Sequence, residues 1–410
     1  MQIFTICCLI TFLWLVFGYS LSFAPAQTNG HANEVYGNGD RLWLRGMMTK
    51  TTHMLAPTVP EAIFCAYQLA FAIITAGLIC GSFADRMKYH SMIIFITFWH
   101  LIVYCPMAHS NWHPQGWLFN LGVLDYAGGN TVHICSGVSG LATVLVIGNR
   151  KGFGKERFEP HNILVTFMGM SMIWVGWYGF NAGSAYGANQ NACYALLATQ
   201  IATSVSALMW MFTEWGVRKQ PSILGMINGA IAGLVCITPA AGYVDMTGAF
   251  FIGFFGGPLC YLGAQLKHYL GFDDALDAFG VHAIGGIVGG LAVGFFATDQ
   301  VGLPFSFGSK AGKPILGVYY GDLSTGGTQL GIQIVGICFS IGWSFIWTYI
   351  LLQIIDKTIG LRVSLEDEEE GLDSSIHGES YSAAAHKVDS KNLLVVENTK
   401  VVGVAGEEVA

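Results

Sequence analysis

Ten times along its 410 residues the sequence stays apolar for about 19 residues or more, the length a helix needs to cross roughly 30 Å of hydrocarbon. The runs fall at 3–23, 62–84, 91–109, 127–148, 162–183, 192–213, 223–242, 247–266, 279–297 and 331–355. Backbone amides in lipid must be satisfied within each segment, and these runs are too long and too apolar for barrel strands. The sequence therefore predicts an all-α fold, a polytopic transmembrane helical bundle of about ten spans. Composition agrees, because 53% hydrophobic against 11% charged residues is more than a soluble domain of this size can hide.

The loops set an orientation. Arg86 and Lys88, then Arg150, Lys151, Lys155 and Arg157, then Arg218 and Lys219, then Lys267, then Lys357 and Arg362 fall in every second connection, while the short loops 110–124, 184–191 and 243–246 carry no Lys or Arg. The longer loops 24–60 and 298–328 do, but long loops translocate largely regardless of charge. The positive-inside rule makes the basic loops and the C-terminus cytoplasmic, in an integral membrane protein expected in the plasma membrane. The run 3–23, followed by Ala24, Pro25 and Ala26, also fits a signal peptide, which would leave nine spans; its lack of a basic start and its length favour a span. The chain divides into a transmembrane domain, 1–359, and a cytoplasmic tail, 360–410, which holds the acidic run 366–370 and whose far end is expected to be disordered.

Much of the acidic excess behind the net charge of −7 lies in that tail, and no nucleic-acid partner is implied. The ten cysteines are scattered, mostly within apolar stretches (Cys65, Cys80, Cys105, Cys135, Cys193, Cys236, Cys260 and Cys338), without a C-x-x-C pair, and read as buried small hydrophobes. No metal or cofactor is expected.

The most informative feature is an internal echo. Asp125 precedes His133 by the same interval that separates Asp274 from His282, and each histidine is followed by glycines four and seven residues on: Gly137 and Gly140, then Gly286 and Gly289. On a helix those glycines share a face with the histidine and allow a neighbour to approach closely. The two copies lie five spans apart and so enter the membrane from opposite sides, as in an inverted repeat with its substrate path near the midplane. A single intramembrane histidine is as readily an interhelical hydrogen bonder as a functional group, but two in register point to a pathway. A metal site is disfavoured, because Cys135, two residues after His133, faces elsewhere and no further ligand has suitable spacing.

With those residues stand LDYAGGNTVHICSGVSGL at 124–141, IGNRKGFGKERFEPHN at 147–162, GWYGFNAGSA at 176–185, SILGMINGAIAGLVCITPAAGYV at 222–244, DAFGVHAIGGIVGG at 277–290 and GLRV, EGLD and HGE between 360 and 379. In order and spacing they resemble the ammonium transporter family (Amt/Mep/Rh) up to Tyr381. The resemblance implies an inverted repeat of five plus five helices with a long final helix, assembled as a homotrimer in which each subunit has its own pore for ammonium or ammonia, and methylammonium. It implies that Trp112 and Phe71 form an outer recruitment site with Ser184 as acceptor. Phe71 and Phe180 would gate the pore and His133 and His282 line it. Asp125 would assist proton transfer or cap its helix, with Asp274 and Asp277 as structural caps in the mirrored place. The tail to Tyr381 would dock on a neighbouring subunit, with Ser375 near a regulatory phosphorylation position.

Two departures accompany the match. The family has eleven spans and WLVFGYSLSF at 14–23 matches its second, so the first is not represented here; Leu69, beside Tyr67 and Gln68, stands where many plant members have Trp. The expectation is electrogenic ammonium uptake without covalent chemistry. An electroneutral ammonia channel and an ammonium sensor or non-conducting regulatory subunit are the alternatives; an enzyme using the histidine pair has no nucleophile or cofactor motif behind it.

Overall fold

In the computed structural model every apolar run becomes a helix. Residues 1–24, 34–47, 50–156, 158–301 and 316–379 are described; Arg157, parts of both long loops and the tail beyond 379 lie outside them. The helices are α1 (Gln2–Phe23), α2 (Glu61–Phe83), α3 (Tyr89–Leu121), α4 (Gly129–Ile147), α5 (Ile163–Ala185), α6 (Gln190–Arg218), α7 (Ile223–Ile237), α8 (Met246–Leu270), α9 (Phe279–Phe296) and α10 (Thr325–Thr358). Among the described residues nine are long and apolar enough to cross a membrane, and the protein is an integral membrane protein; α7, with 15 residues, is the short one. A two-stranded hairpin, β1 (Thr52–His53) and β2 (Ala56–Pro60), precedes α2.

Several boundaries differ from the apolar runs, each for a local reason. Pro239 cannot continue the ladder of α7, so 238–243 forms turns instead. Those turns are used: Tyr126 and Ala127 donate their N–H groups to the carbonyls of Pro239 and Thr238. The third run extends beyond 109 to Leu121 but breaks after Trp112, where His113 is extended. The first run packs as a span, with Ile6, Ile10, Tyr19 and Phe23 fully buried and Trp14 Nε1 donating to the Cys65 carbonyl at 3.3 Å.

The helix carrying His133, α4, lies at the centre: 83% of its most apolar stretch is buried, against 11% for α5, whose outer side is free for lipid or another subunit. Helices α4 and α9 run antiparallel and cross, and the echoed glycines make the crossing possible. A Cβ on Gly137 would stand 2.3 Å from the Ala283 nitrogen, and one on Gly286 would stand 2.8 Å from the Gly129 carbonyl oxygen. Both helices also begin with a π-helical turn, Gly129–Ile134 and Phe279–Ala283, and each turn contains the histidine.

The basic loops meet on one face. The Asp273 carboxylate accepts from Arg150 Nε and Nη2 at 2.7 and 2.8 Å, while fully buried Arg86 donates to the Asp273 and Gly148 carbonyls at 2.6 and 3.0 Å. The start of the tail lies against the same face. Lys88 N–H donates to the Leu361 carbonyl and Val363 N–H to that of Arg86, and Arg362 Nη2 binds Glu368 at 2.7 Å. Two short helices follow, α11 (Leu365–Glu370) and α12 (Leu372–Ser375).

Candidate functional site

The loop before α4 builds the site from its carboxylate outward. Asp125 accepts from the backbone N–H groups of Gly128, Gly129, Asn130 and Thr131 and from the Thr131 hydroxyl, at 3.0–3.2 Å for Gly128, Asn130 and both Thr131 groups. These are the donors that the first turn of a helix leaves without partners, and the Asp125 charge complements the positive end of α4. Gln333 of α10 grips the same loop, accepting from Leu124 N–H and donating to the Leu124 carbonyl, both at 2.8 Å. Asp274 repeats the arrangement for α9, taking Phe279 N–H at 2.7 Å and the Ser82 hydroxyl at 3.0 Å. Asp277, at φ +56°, pairs with Lys267 at 2.6 Å and does not cap. The substitution Asp125→Asn keeps the size but turns half of the carboxylate into a donor facing other donors. It should cost about 2 kcal/mol of stability, read as earlier thermal unfolding in detergent; wild-type stability in that variant would remove the capping role.

Beside Asp125 opens a small cleft lined by Trp112, Tyr126, Ser184, Tyr186 and Tyr243 among others. The polar tips of two rings are tied back: Trp112 Nε1 donates to the Asp125 carbonyl at 2.8 Å and Tyr126 Oη to Asn191 at 2.7 Å. Behind Trp112, Phe71 meets its ring edge to face, centroids 5.4 Å apart, and lies 4.4 Å from the Phe180 ring. Phe180 leads on to Trp177, at 4.8 Å, and Trp177 stacks on His133 at 5.5 Å with the planes 8° apart.

The two histidines meet. His133 is fully buried, His282 is 8% exposed, and their Nδ1 atoms are 3.3 Å apart between nearly parallel rings. A bond between two Nδ1 atoms holds one proton, so one ring donates and the other accepts. His133 Nε2 is buried with no protein partner, a polar atom left for something other than the protein.

The residues named from the sequence are thus contiguous: Trp112, Phe71, Phe180, His133 and His282 follow one another, with Ser184 at the cleft. Ser375 lies apart, on the basic face, its hydroxyl donating to the Asp367 carbonyl at 3.3 Å. Trp177 and Tyr67 were not singled out, although Trp177 stands three residues before Phe180 and so on its face of the helix. Tyr67 Oη donates to the Phe180 carbonyl and contacts Ser184 Oγ at 2.9 Å.

Fold and site together define a polytopic membrane protein with an aromatic cleft leading to a buried histidine pair. Residues 1–382 match the Ammonium Transporter Family, and the chain belongs to it. An ammonium transporter of Bacillus subtilis (strain 168) is 40% identical over 380 residues, 92% of this chain and 88% of that protein. Ammonium transporter 1 of Dictyostelium discoideum is 38% identical over 374 residues, 90% of this chain and 76% of its own. The crystal structure of Saccharomyces cerevisiae Mep2 superposes with a TM-score of 0.79 at 33% identity, covering 89% of this chain and 82% of that one. A solved sensor Amt protein matches with a TM-score of 0.79 at 24% identity over 92% of this chain and 88% of its own, a likeness of fold alone.

Proposed function

We propose that this protein takes up ammonium by holding the cation in the aromatic cleft, stripping its proton, and passing ammonia along the histidine pair, with the proton following by a coupled path so that uptake is electrogenic. The observation that carries this reading is the 3.3 Å contact between two buried imidazoles behind a pair of phenyl rings. A cation shedding water at Trp112 and Phe71 is compensated by ring faces and by the Ser184 oxygen. Beyond the rings both imidazoles are buried, and burial penalises a charge there, which favours the neutral molecule. Ammonia both donates and accepts hydrogen bonds and can pair with the histidine nitrogens; potassium can donate none.

In this reading three copies assemble in the plasma membrane with the basic face and the tail in the cytoplasm. The tail, seated on the loops that end α2 and α4, tunes the pore. A phosphate on Ser375 would add negative charge beside Asp367 and Asp373 and loosen that seat.

The test is ammonium-dependent growth and inward current in cells without their own ammonium transporters. Saturable current supports the electrogenic reading, growth without current the electroneutral channel, and binding without either a sensor. Within that assay Phe71→Ala should raise the half-saturating ammonium concentration about fivefold, the worth of one lost ring at a cation site, and change the maximal current less. An unchanged half-saturation would take Phe71 out of the recruitment site.

A further inference from the structure

We propose that Tyr67 is a positioning residue for recruitment: its hydroxyl fixes Ser184 as a hydrogen-bond acceptor toward the cleft. The inference rests on the reading of Ser184 as part of the recruitment site. Three oxygens form a triangle at the end of α5. Ser184 Oγ donates to the Phe180 carbonyl at 3.1 Å, Tyr67 Oη lies 2.9 Å from Ser184 Oγ, and Tyr67 Oη also donates to the Phe180 carbonyl. The triangle holds two protons, and the carbonyl can only accept. The arrangement that uses both protons without leaving either hydroxyl contact empty has the Tyr67 O–H donating to Ser184 Oγ and the Ser184 O–H donating to the Phe180 carbonyl. In that arrangement the Ser184 proton is committed to the carbonyl and the second Ser184 lone pair is left for an N–H of the cation.

A serine alone can bond back to the carbonyl four residues earlier, but it swaps rotamers readily; a second fixed partner holds it in one. Tyr67 is itself held. Its ring packs edge to face on Phe71, centroids 4.9 Å apart, and on Tyr186 at 5.9 Å. A Cβ on Gly183 would stand 2.8 Å from that ring, so the loop carrying Ser184 can close on Tyr67 only because residue 183 is glycine. The Tyr67 hydroxyl also lies 3.4 Å from the Gly179 carbonyl, one of the carbonyls in the last turn of that helix.

The test compares Tyr67→Phe, Ser184→Ala and the double variant, reading the half-saturating methylammonium concentration for uptake in cells and methylammonium affinity by calorimetry on the purified, detergent-solubilised protein. Tyr67→Phe removes one oxygen and keeps the ring. It should weaken half-saturation and affinity about fivefold, the worth of one hydrogen bond, at unchanged surface expression, and should add nothing in the Ser184→Ala background. A purely structural Tyr67 would lower the amount of protein at the surface and leave affinity alone, which overturns the proposal. So does an equal loss with and without Ser184, or a normal Tyr67→Phe beside an impaired Ser184→Ala. A normal Ser184→Ala removes the recruitment role of Ser184 itself and this inference with it.

Discussion

Replacing His133 and His282 together by alanine should cut saturable methylammonium uptake at least tenfold or admit potassium. The two rings supply the polar atoms at the narrow crossing of α4 and α9, where Trp177 and Phe180 leave otherwise apolar walls. In the proposed path each hydrogen bond that ammonia loses at this buried crossing costs about 1–3 kcal/mol, so two lost partners account for a drop of an order of magnitude or more. If the space left by the imidazoles fills with water, the barrier to hydrated cations falls instead, and selectivity goes rather than rate. The single variants discriminate further. His133→Ala removes the ring stacked on Trp177 and the unpartnered Nε2, and should act more strongly than His282→Ala, whose buried ring leaves no such atom. Uptake in single-substituted and double-substituted cells, with potassium as competitor, measures both. Wild-type rate and selectivity in the double variant would reject the histidine path.

The sequence carried much of this arrangement because membrane folds write their constraints in one dimension. Lipid forces each span to satisfy its own backbone, so the apolar runs mark the helices directly, and the echo of Asp, His and two glycines marks the crossing at which the spans meet. Close packing of Gly137 on Ala283 and of Gly286 on Gly129 is the physical content of that spacing. What the spacing could not express depends on tertiary contact. The π-helical turns at both histidines are invisible in the apolar pattern, because an extra residue per turn leaves a run of apolar residues looking the same. Tyr67 likewise sits in a run of apolar residues where a tyrosine passes for packing; its hydroxyl gains meaning only when the end of α5 is laid across it. The tail shows the same limit. Its acidic run reads as a solvated segment, yet Glu368 accepts from Lys151 N–H at 2.8 Å and from Arg362, and is half-buried on the basic face.

The other large effect belongs to the basic face. Asp273→Asn should lower stability by about 3–5 kcal/mol, because it leaves Arg86, with no exposed surface, beside Arg150 and without its countercharge. Burial first, and the charges of Arg150 and Arg362 beside it, push the Arg86 guanidinium down to about 10 even with Asp273 present, a sign of how dependent its charge is on that partner. For Asp273 burial works against the carboxylate, but the hydrogen bonds from Arg150 and the charge of Arg86 outweigh it and hold the group below the ordinary carboxylate value. A depressed value means that the stabilisation is complete above the ordinary range, about pH 4, and is lost as pH falls through the lower native value. Thermal unfolding in detergent between pH 7 and pH 3 should therefore show the widest gap between wild type and Asp273→Asn near neutrality, closing on the acid side as the wild-type carboxylate takes up its proton. A gap that is absent at pH 7, or that stays constant into acid, would mean that the loops ending α2, α4 and α8 are held together by the bonds of Arg86 and Asn149 to backbone carbonyls and not by this charge.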